Sequence, residues 1–208
     1  MNLKIFNTGI MQVNTYILID EISKDAAIID LGGDVQEVVD YIKSQGANLK
    51  AILNTHGHFD HITGEAFFKE KMPDIPIYLN KEDWYLAQNL NSQIQKYAPG
   101  FNVPSFNPDF DLNEETEFTL GETPFKIFFT PGHTRGGVCI LVEDNLFTGD
   151  TLFMGTIGRT DLEGGDYNTL VNSIKTKLLP LDNNIKVYPG HGVSSTMGEE
   201  KISNPYLN

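Results

Sequence analysis

An α/β fold, with helices laid outside a sheet core, is what this sequence predicts. Three observations predict it: short apolar runs of strand character recur through both halves, amphipathic helical segments follow them, and glycine- or proline-bearing turns separate the two. With 208 residues, 40% hydrophobic and 21% charged, the chain has enough material for one buried core and too little for two full domains. A single domain over residues 1–208 is expected.

Residues 15–19 and 26–30 read as strands divided by a polar turn, and Gly32-Gly33 ends the second. A helix is expected from Asp34, with Glu37 three residues on as a capping box. Val35, Val38, Val39 and Ile42 form its apolar stripe, and Gly46 stops it. A short buried strand over 51–53 runs directly into His56. Helix 64–71 ends before Pro73, strand 76–79 follows, and 81–90 reads as helical. Residues 91–113 are rich in Asn, Pro and Gly and carry Tyr97, Phe101, Phe106 and Phe110. Such a stretch is either a lid over a site or a loop pinned to the core by its aromatics. Strands are expected at 125–129, 138–142 and 145–148. A helix over 167–179, with Leu170, Ile174 and Leu178 on one face, precedes a last strand at 185–188 and a short helix at 197–202.

Composition excludes several classes of function. The net charge is −13 and the basic residues do not cluster, a surface that repels nucleic acid and anionic membrane. No run approaches the roughly 18 apolar residues that a membrane span needs, and the N-terminal MNLKIFNTG lacks the pattern of a secretory signal. The lone Cys139 forbids an intrachain disulfide and fits a reducing cytoplasm; within the apolar run 138–142 it reads as a small buried hydrophobe.

The five histidines carry the chemistry. Three lie in the stretch Thr55-His56-Gly57-His58-Phe59-Asp60-His61; the others are His133, after Pro131-Gly132, and His191, after Pro189-Gly190. Each group follows a strand and sits in turn-forming sequence. Extended-chain alternation would put His56, His58 and Asp60 on one side, with His61 joining them through a turn or a helix start. Imidazole and carboxylate without thiolate suit zinc, iron or manganese. Three ligands for each of two ions, with one carboxylate shared, match a two-metal site with ions about 3.5–4 Å apart. Asp150, after a strand and Gly149, is the candidate for the shared carboxylate; taken alone it also reads as a turn-forming residue.

The run His56-x-His58-x-Asp60-His61, followed in order by His133, Asp150 and His191, resembles the metallo-β-lactamase superfamily. The resemblance implies an αββα sandwich with metals at one edge, where strand-end loops meet. It implies His56, His58 and His133 as ligands of a first metal, Asp60, His61 and His191 as ligands of a second, and Asp150 as the bridge. Within the superfamily, the segments Gly149-Asp150-Thr151-Leu152-Phe153, Gly158-Arg159-Thr160-Asp161 and Tyr188-Pro189-Gly190-His191-Gly192, with the ending Asn204-Pro205-Tyr206-Leu207, are similar to glyoxalase II-type thioester hydrolases in their short form. Longer members carry a C-terminal helical domain that grips glutathione, and the present residues end before it. Arg159 falls where those enzymes place a glutathione-contacting lysine. It would bind a substrate carboxylate in bidentate fashion, or else pair with Asp161 and shape its loop. The substrate-binding tyrosine that those enzymes place after the last metal histidine is missing here.

The reaction so implied is hydrolysis of a small-molecule thioester such as S-lactoylglutathione. Two divalent ions, zinc first among the candidates, would bring a bound water's pKa toward about 7, so that hydroxide attacks the acyl carbon. Asp60 is the expected catalytic residue, holding that hydroxide while ligating the second metal. A thiolate, of parent pKa about 8.5, leaves without a strong general acid. A mononuclear-iron persulfide dioxygenase of the same fold, using the positions of His56, His133 and Asp150, is the main rival. The loop Gly155-Thr156-Ile157 lacks the cysteine those enzymes tend to carry before the Gly-Arg-Thr-Asp run. A non-catalytic metal-binding module would need only one filled site. The C-terminal signature argues against lactonases and β-lactamases.

Overall fold

A computed structural model describes residues 1–33 and 35–207. The first sheet runs in sequence order: β1 (Asn2–Thr8), β2 (Val13–Ile19), β3 (Asp25–Ile29), β4 (Asn48–Leu53), β5 (Ile77–Leu79) and β6 (Phe110–Asp111). Its first three strands are antiparallel and β3 to β6 are parallel. The second sheet contains β7 (Phe118–Leu120), β8 (Thr123–Phe129), β9 (Val138–Val142), β10 (Asn145–Gly149), β13 (Lys186–Pro189) and β14 (Ser195–Thr196), in the order β14-β13-β10-β9-β8-β7. There β10 and β13 are parallel neighbours. A ribbon of β11 (Leu152–Phe153) and β12 (Thr156–Ile157) stands apart.

Side-chain alternation builds the layers. Along β2, Tyr16 and Leu18 enter the core between the sheets, with Phe125, Ile127, Ile140 and Phe147 of the opposite sheet. Their neighbours Ile17 and Ile19 face the other way, against Val35, Val38 and Ile42 of helix α1 (Val35–Ser44) and Phe68 of α2 (Phe59–Lys71). On the far side, Cys139, Leu146 and Val187 pack on Leu170, Ile174 and Leu178, from α5 (Tyr167–Ser173) and the π-helical turn after it, and on Met197 of α6 (Met197–Ser203). Strands covered on both faces need apolar side chains at nearly every position, which is why β2 and β3 read as continuous apolar runs. The result is the expected αββα arrangement.

Several boundaries differ from the sequence reading, each for a physical reason. The capping residue expected at Asp34 lies outside the described residues; α1 is described from Val35, and Gly46, in the left-handed region at φ 62°, follows its end. Helix α2 begins at Phe59 rather than at residue 64. Gly64 is not its start but a point where it closes on the chain just after β3: a Cβ there would sit 2.7 Å from the Leu31 carbonyl oxygen. Asp60 and His61 therefore stand on the first helical turn, and the extended alternation holds only for His56 and His58. β1 was not foreseen, because its residues are mostly exposed; it is held by its ladder to β2, with Leu3 and Phe6 partly buried against the cores. β7 is also new; it forms a hairpin with β8. Residues 81–90 divide into a 3₁₀ turn (Lys81–Asp83) and helix α3 (Trp84–Gln88), and helix α4 (Leu90–Ile94) enters the stretch read as irregular.

In the remainder of that stretch three of the four aromatics make packing contacts. Tyr97 stacks on Phe59 with ring centroids 4.8 Å apart, Phe110 stacks on Tyr78 at 5.0 Å, and Phe106 packs beside the α1–α2 core. Cys139 is fully buried and free, as expected.

Candidate metal centre

Four strands end at one edge of the sandwich, and the loop after each carries candidate ligands. β4 leads into His56 and His58, β8 into His133, β10 into Asp150 and β13 into His191. The two sheets are fastened together at this edge. Tyr16 donates its hydroxyl to the Pro189 carbonyl at 2.6 Å, and the Val138 N–H donates to the Thr55 carbonyl at 2.8 Å. All seven residues singled out in the sequence as ligands come together here. Donor atoms of His56, His58 and His133 lie within 4.8 Å of one another, as do those of Asp60, His61 and His191. Asp150 groups with His56 and His61 on the same criterion. It stands between the two triads: Oδ2 is 3.6 Å from His133 Nε2, and Oδ1 is 3.4 Å from His61 Nε2 and 3.9 Å from His191 Nε2.

Hydrogen bonds orient the rings. His61 Nδ1 lies 2.8 Å from Asp30 Oδ2, and both side chains are buried. The same carboxylate accepts from the Thr55 N–H at 2.8 Å and the Thr55 hydroxyl at 2.7 Å. With its proton given to Asp30, the Thr55 hydroxyl is left to accept from His56 Nδ1 at 3.2 Å. His133 Nδ1 donates to the Arg159 carbonyl at 2.8 Å. Each of these contacts fixes Nδ1 as a donor, so that Nε2, when it carries no proton, is the nitrogen that would face a cation.

Asp30 was missed in the sequence reading. The signal was an acidic residue closing the otherwise apolar run Ala26-Ala27-Ile28-Ile29, just before Gly32-Gly33. It holds a left-handed backbone at φ 55°, which aspartate tolerates better than most residues.

The electrostatics suit a cation. Burial, with His61 and His133 beside it, holds His56 well below the ordinary histidine value; burial and His133 push His58 down to about 3. Burial would raise Asp60 and Asp150, but the imidazoles around them, His61 foremost, hold both below the ordinary carboxylate range. Burial opposes charge on His61, yet Asp30, Asp150 and Asp60 hold its proton well above the ordinary value; a cation at Nε2 would take that proton's place. Among the described residues, His56 Nε2, His61 Nε2 and Asp150 Oδ1 are buried without a hydrogen-bond partner. Leaving such atoms unsatisfied costs about 1–3 kcal/mol each, a cost that metal coordination removes. The donor set fits a divalent ion.

The centre opens into a cleft of about 540 Å³ whose walls include Phe59, Tyr85, Leu86, Lys96 and Tyr97. Arg159 lines it too, but its guanidinium is held by Asp161 in a two-pronged pair, with both contacts at 2.8 Å. The pairing alternative considered for Arg159 is thus the one the structure displays, and the residue's backbone carbonyl, rather than its charge, supports the centre. Gly190 has no room for a side chain, because a Cβ would lie 2.4 Å from Asp150 Oδ1 and 2.6 Å from His61 Cε1.

An αββα sandwich with a histidine–carboxylate cluster at its strand-end edge defines a class of metal-binding hydrolase folds. The chain belongs to the metallo-beta-lactamase superfamily, whose family model matches residues 8–191. It is 41% identical to the hydroxyacylglutathione hydrolase GloC of Haemophilus influenzae, over 100% of this chain and 99% of that protein. Among solved structures it is similar to the BLEG-1 B3 metallo-beta-lactamase (TM-score 0.90, 36% identity, all of both chains). It is also similar to TTHA1623 in a di-iron-bound form (TM-score 0.87, 31% identity, 98% of this chain and 100% of that one). A metal-dependent hydrolase built on a cluster for divalent ions is the class these likenesses support.

Proposed function

We propose that this chain is a binuclear metal-dependent thioester hydrolase acting on a small acyl thioester such as S-lactoylglutathione. The observation that carries the reading is the placement of two donor triads at one cleft with Asp150 between them. His56, His58 and His133 would hold one divalent ion, and Asp60, His61 and His191 the other, with Asp150 shared. Zinc, iron and manganese all suit this set, zinc foremost. When bound, such ions supply a water acidic enough to ionise near neutral pH and positive charge for the acyl oxygen.

The chain's own groups do the rest. Asp60, which lines the cleft with its Oδ2 3.1 Å from His191 Nε2, would hold a proton of the attacking water. Phe59, Leu86 and Tyr97 give the cleft apolar lining that would suit an acyl group. The departing thiolate, of parent pKa about 8.5, needs no strong acid. Arg159, once released from Asp161, would take a carboxylate on the thiol portion. A lone cysteine, Cys139, fits a reducing cytoplasmic setting.

A second reading, β-lactam hydrolysis, draws on the likeness to BLEG-1. One experiment separates the two: metal-quantified protein is assayed with S-D-lactoylglutathione and, in parallel, with a chromogenic cephalosporin. Turnover of the thioester with two metals per chain is expected. Turnover of the cephalosporin alone would overturn the thioester reading. A single iron per chain with oxygen uptake on a persulfide would move the assignment to the dioxygenase chemistry of the same fold.

A further inference from the structure

Asp83 belongs to none of the motifs of the centre, yet it binds two of its loops. It closes the 3₁₀ turn after β5, and its side chain is fully buried. Oδ2 accepts from the Gly57 N–H at 2.9 Å and from the Thr134 hydroxyl at 2.7 Å; Oδ1 accepts from the Gly136 N–H at 2.7 Å. Gly57 lies between His56 and His58, and Thr134 follows His133. The three donors therefore come from the loop after β4 in one sheet and the loop after β8 in the other.

Two glycines give an independent sign of the same fit. A Cβ at residue 57 would lie 3.1 Å from Asp83 Cβ and 3.0 Å from its carbonyl oxygen. A Cβ at residue 136 would lie 2.7 Å from Asp83 Cγ. Each loop carries a glycine where its backbone N–H closes on this carboxylate.

Asp83 is itself firmly placed. Its N–H donates to the Asn80 carbonyl at 2.9 Å, and Asn80 Nδ2 donates to the Leu112 carbonyl at 2.9 Å. Trp84 Nε1, one residue on, donates to the Leu79 carbonyl at 2.8 Å. The carboxylate is thus referenced to β5 rather than to either loop.

We propose that Asp83 is the positioning residue of the His56–His58–His133 triad, a clasp that sets the distance between the loop of the first two histidines and the loop of the third. It touches no reacting atom; it acts by holding two backbone segments in register. An ionised carboxylate is an acceptor only, which is what three converging donors require. An amide of the same shape offers one oxygen and turns an NH₂ toward at least one of them. The proposal rests on the reading of these histidines as metal ligands and not on the identity of the substrate.

The test is cobalt(II) binding to the metal-free full chain, read as affinity by chelator competition and as the ligand-field absorption band. Partners that orient metal ligands commonly contribute about 10–100-fold in metal affinity. Asp83→Asn is expected to keep the wild-type circular dichroism, bind its first cobalt at least about tenfold more weakly and shift the band. Thr134→Val, which removes one of the three donors and nothing else polar, is expected to move both readouts the same way by less. Glu200→Gln is the control for a merely structural acid. Glu200 is a buried carboxylate that accepts from the Gly155 N–H and Asn204 Nδ2, and it does not line the cleft. Its variant should lower the melting temperature and leave the cobalt band unchanged.

Wild-type affinity and band in Asp83→Asn would overturn the proposal. If that variant fails to fold, the same result in Thr134→Val would overturn it. A wild-type chain that binds no cobalt would overturn the metal-site reading, and this proposal with it. Failure to hydrolyse a thioester touches neither.

Discussion

Asp30 Oδ2 lies 2.8 Å from His61 Nδ1, with both side chains out of contact with solvent. A carboxylate at that distance fixes the ring's tautomer and makes the outward nitrogen a better ligand. Through Thr55, Asp30 also reaches His56, so one buried acid orients a ring in each of the two triads.

Asp30→Ala should therefore weaken metal binding by about 10–100-fold. It would also leave the Thr55 N–H and His61 Nδ1 without their acceptor, at about 1–3 kcal/mol each. Metal content after dialysis and the denaturant midpoint measure the two effects separately.

Asp60→Ala and His61→Ala each remove a member of the second triad. Turnover should be lost in both, and metal per chain should fall below the wild-type value. Either variant with full metal and full activity would remove that residue from the centre.

Stripping the metal should destabilise the fold, because the carboxylates Asp60 and Asp150 and three unsatisfied buried atoms are left facing one another. A ligand present at a hundredfold its Kd stabilises the folded state by about 2.7 kcal/mol. Adding zinc back to chelator-treated protein should raise the melting temperature in a concentration-dependent way. A melting temperature indifferent to zinc would argue against the cluster as a cation site.

Asp161 governs how available Arg159 is. The hydrogen bonds from Arg159 hold the Asp161 carboxyl down to about 2. The folded value is depressed, so the pair persists at every pH above that value and is lost only as pH falls through it. No change in KM for an anionic thioester should therefore arise from this pair between about pH 4 and 9. Asp161→Asn frees the guanidinium; KM for a carboxylate-bearing thioester should drop a few-fold at unchanged kcat, whereas an uncharged thioester should not respond.

Burial pushes the Cys139 thiol up to about 11. Thiolate is scarce below that pH, and the side chain lies under α5. Iodoacetamide at pH 8 should leave the native protein unlabelled and modify one site after denaturation; rapid labelling of the native chain would contradict the packing described.

Much of this molecule is legible without coordinates. Strands covered on both faces announce themselves as apolar runs, so β2, β3, β9 and β10 were read to within two residues of their ends. Histidines set in glycine and proline turns after such runs point to one edge, because strand ends are where a sandwich gathers its loops. What escaped depended on neighbours distant in sequence. The exposed edge strand β1 is held by backbone bonds to β2, which leave no apolar pattern to read. The start of α2 was displaced because Gly64 looks like a boundary, whereas it marks a close approach to Leu31.

The sequence by itself determined an α/β fold with helices outside a sheet core and the order along the chain of the seven candidate donors, since these follow from side-chain chemistry and from the alternation that burial imposes; the αββα form entered through the family resemblance. Only the tertiary structure decided that Asp161 occupies Arg159, and that Asp30 and Asp83 are the acids holding the donor loops. A buried carboxylate takes its role from the donors that fold around it, and those of Asp83 come from residues 57, 134 and 136, as many as 53 positions away.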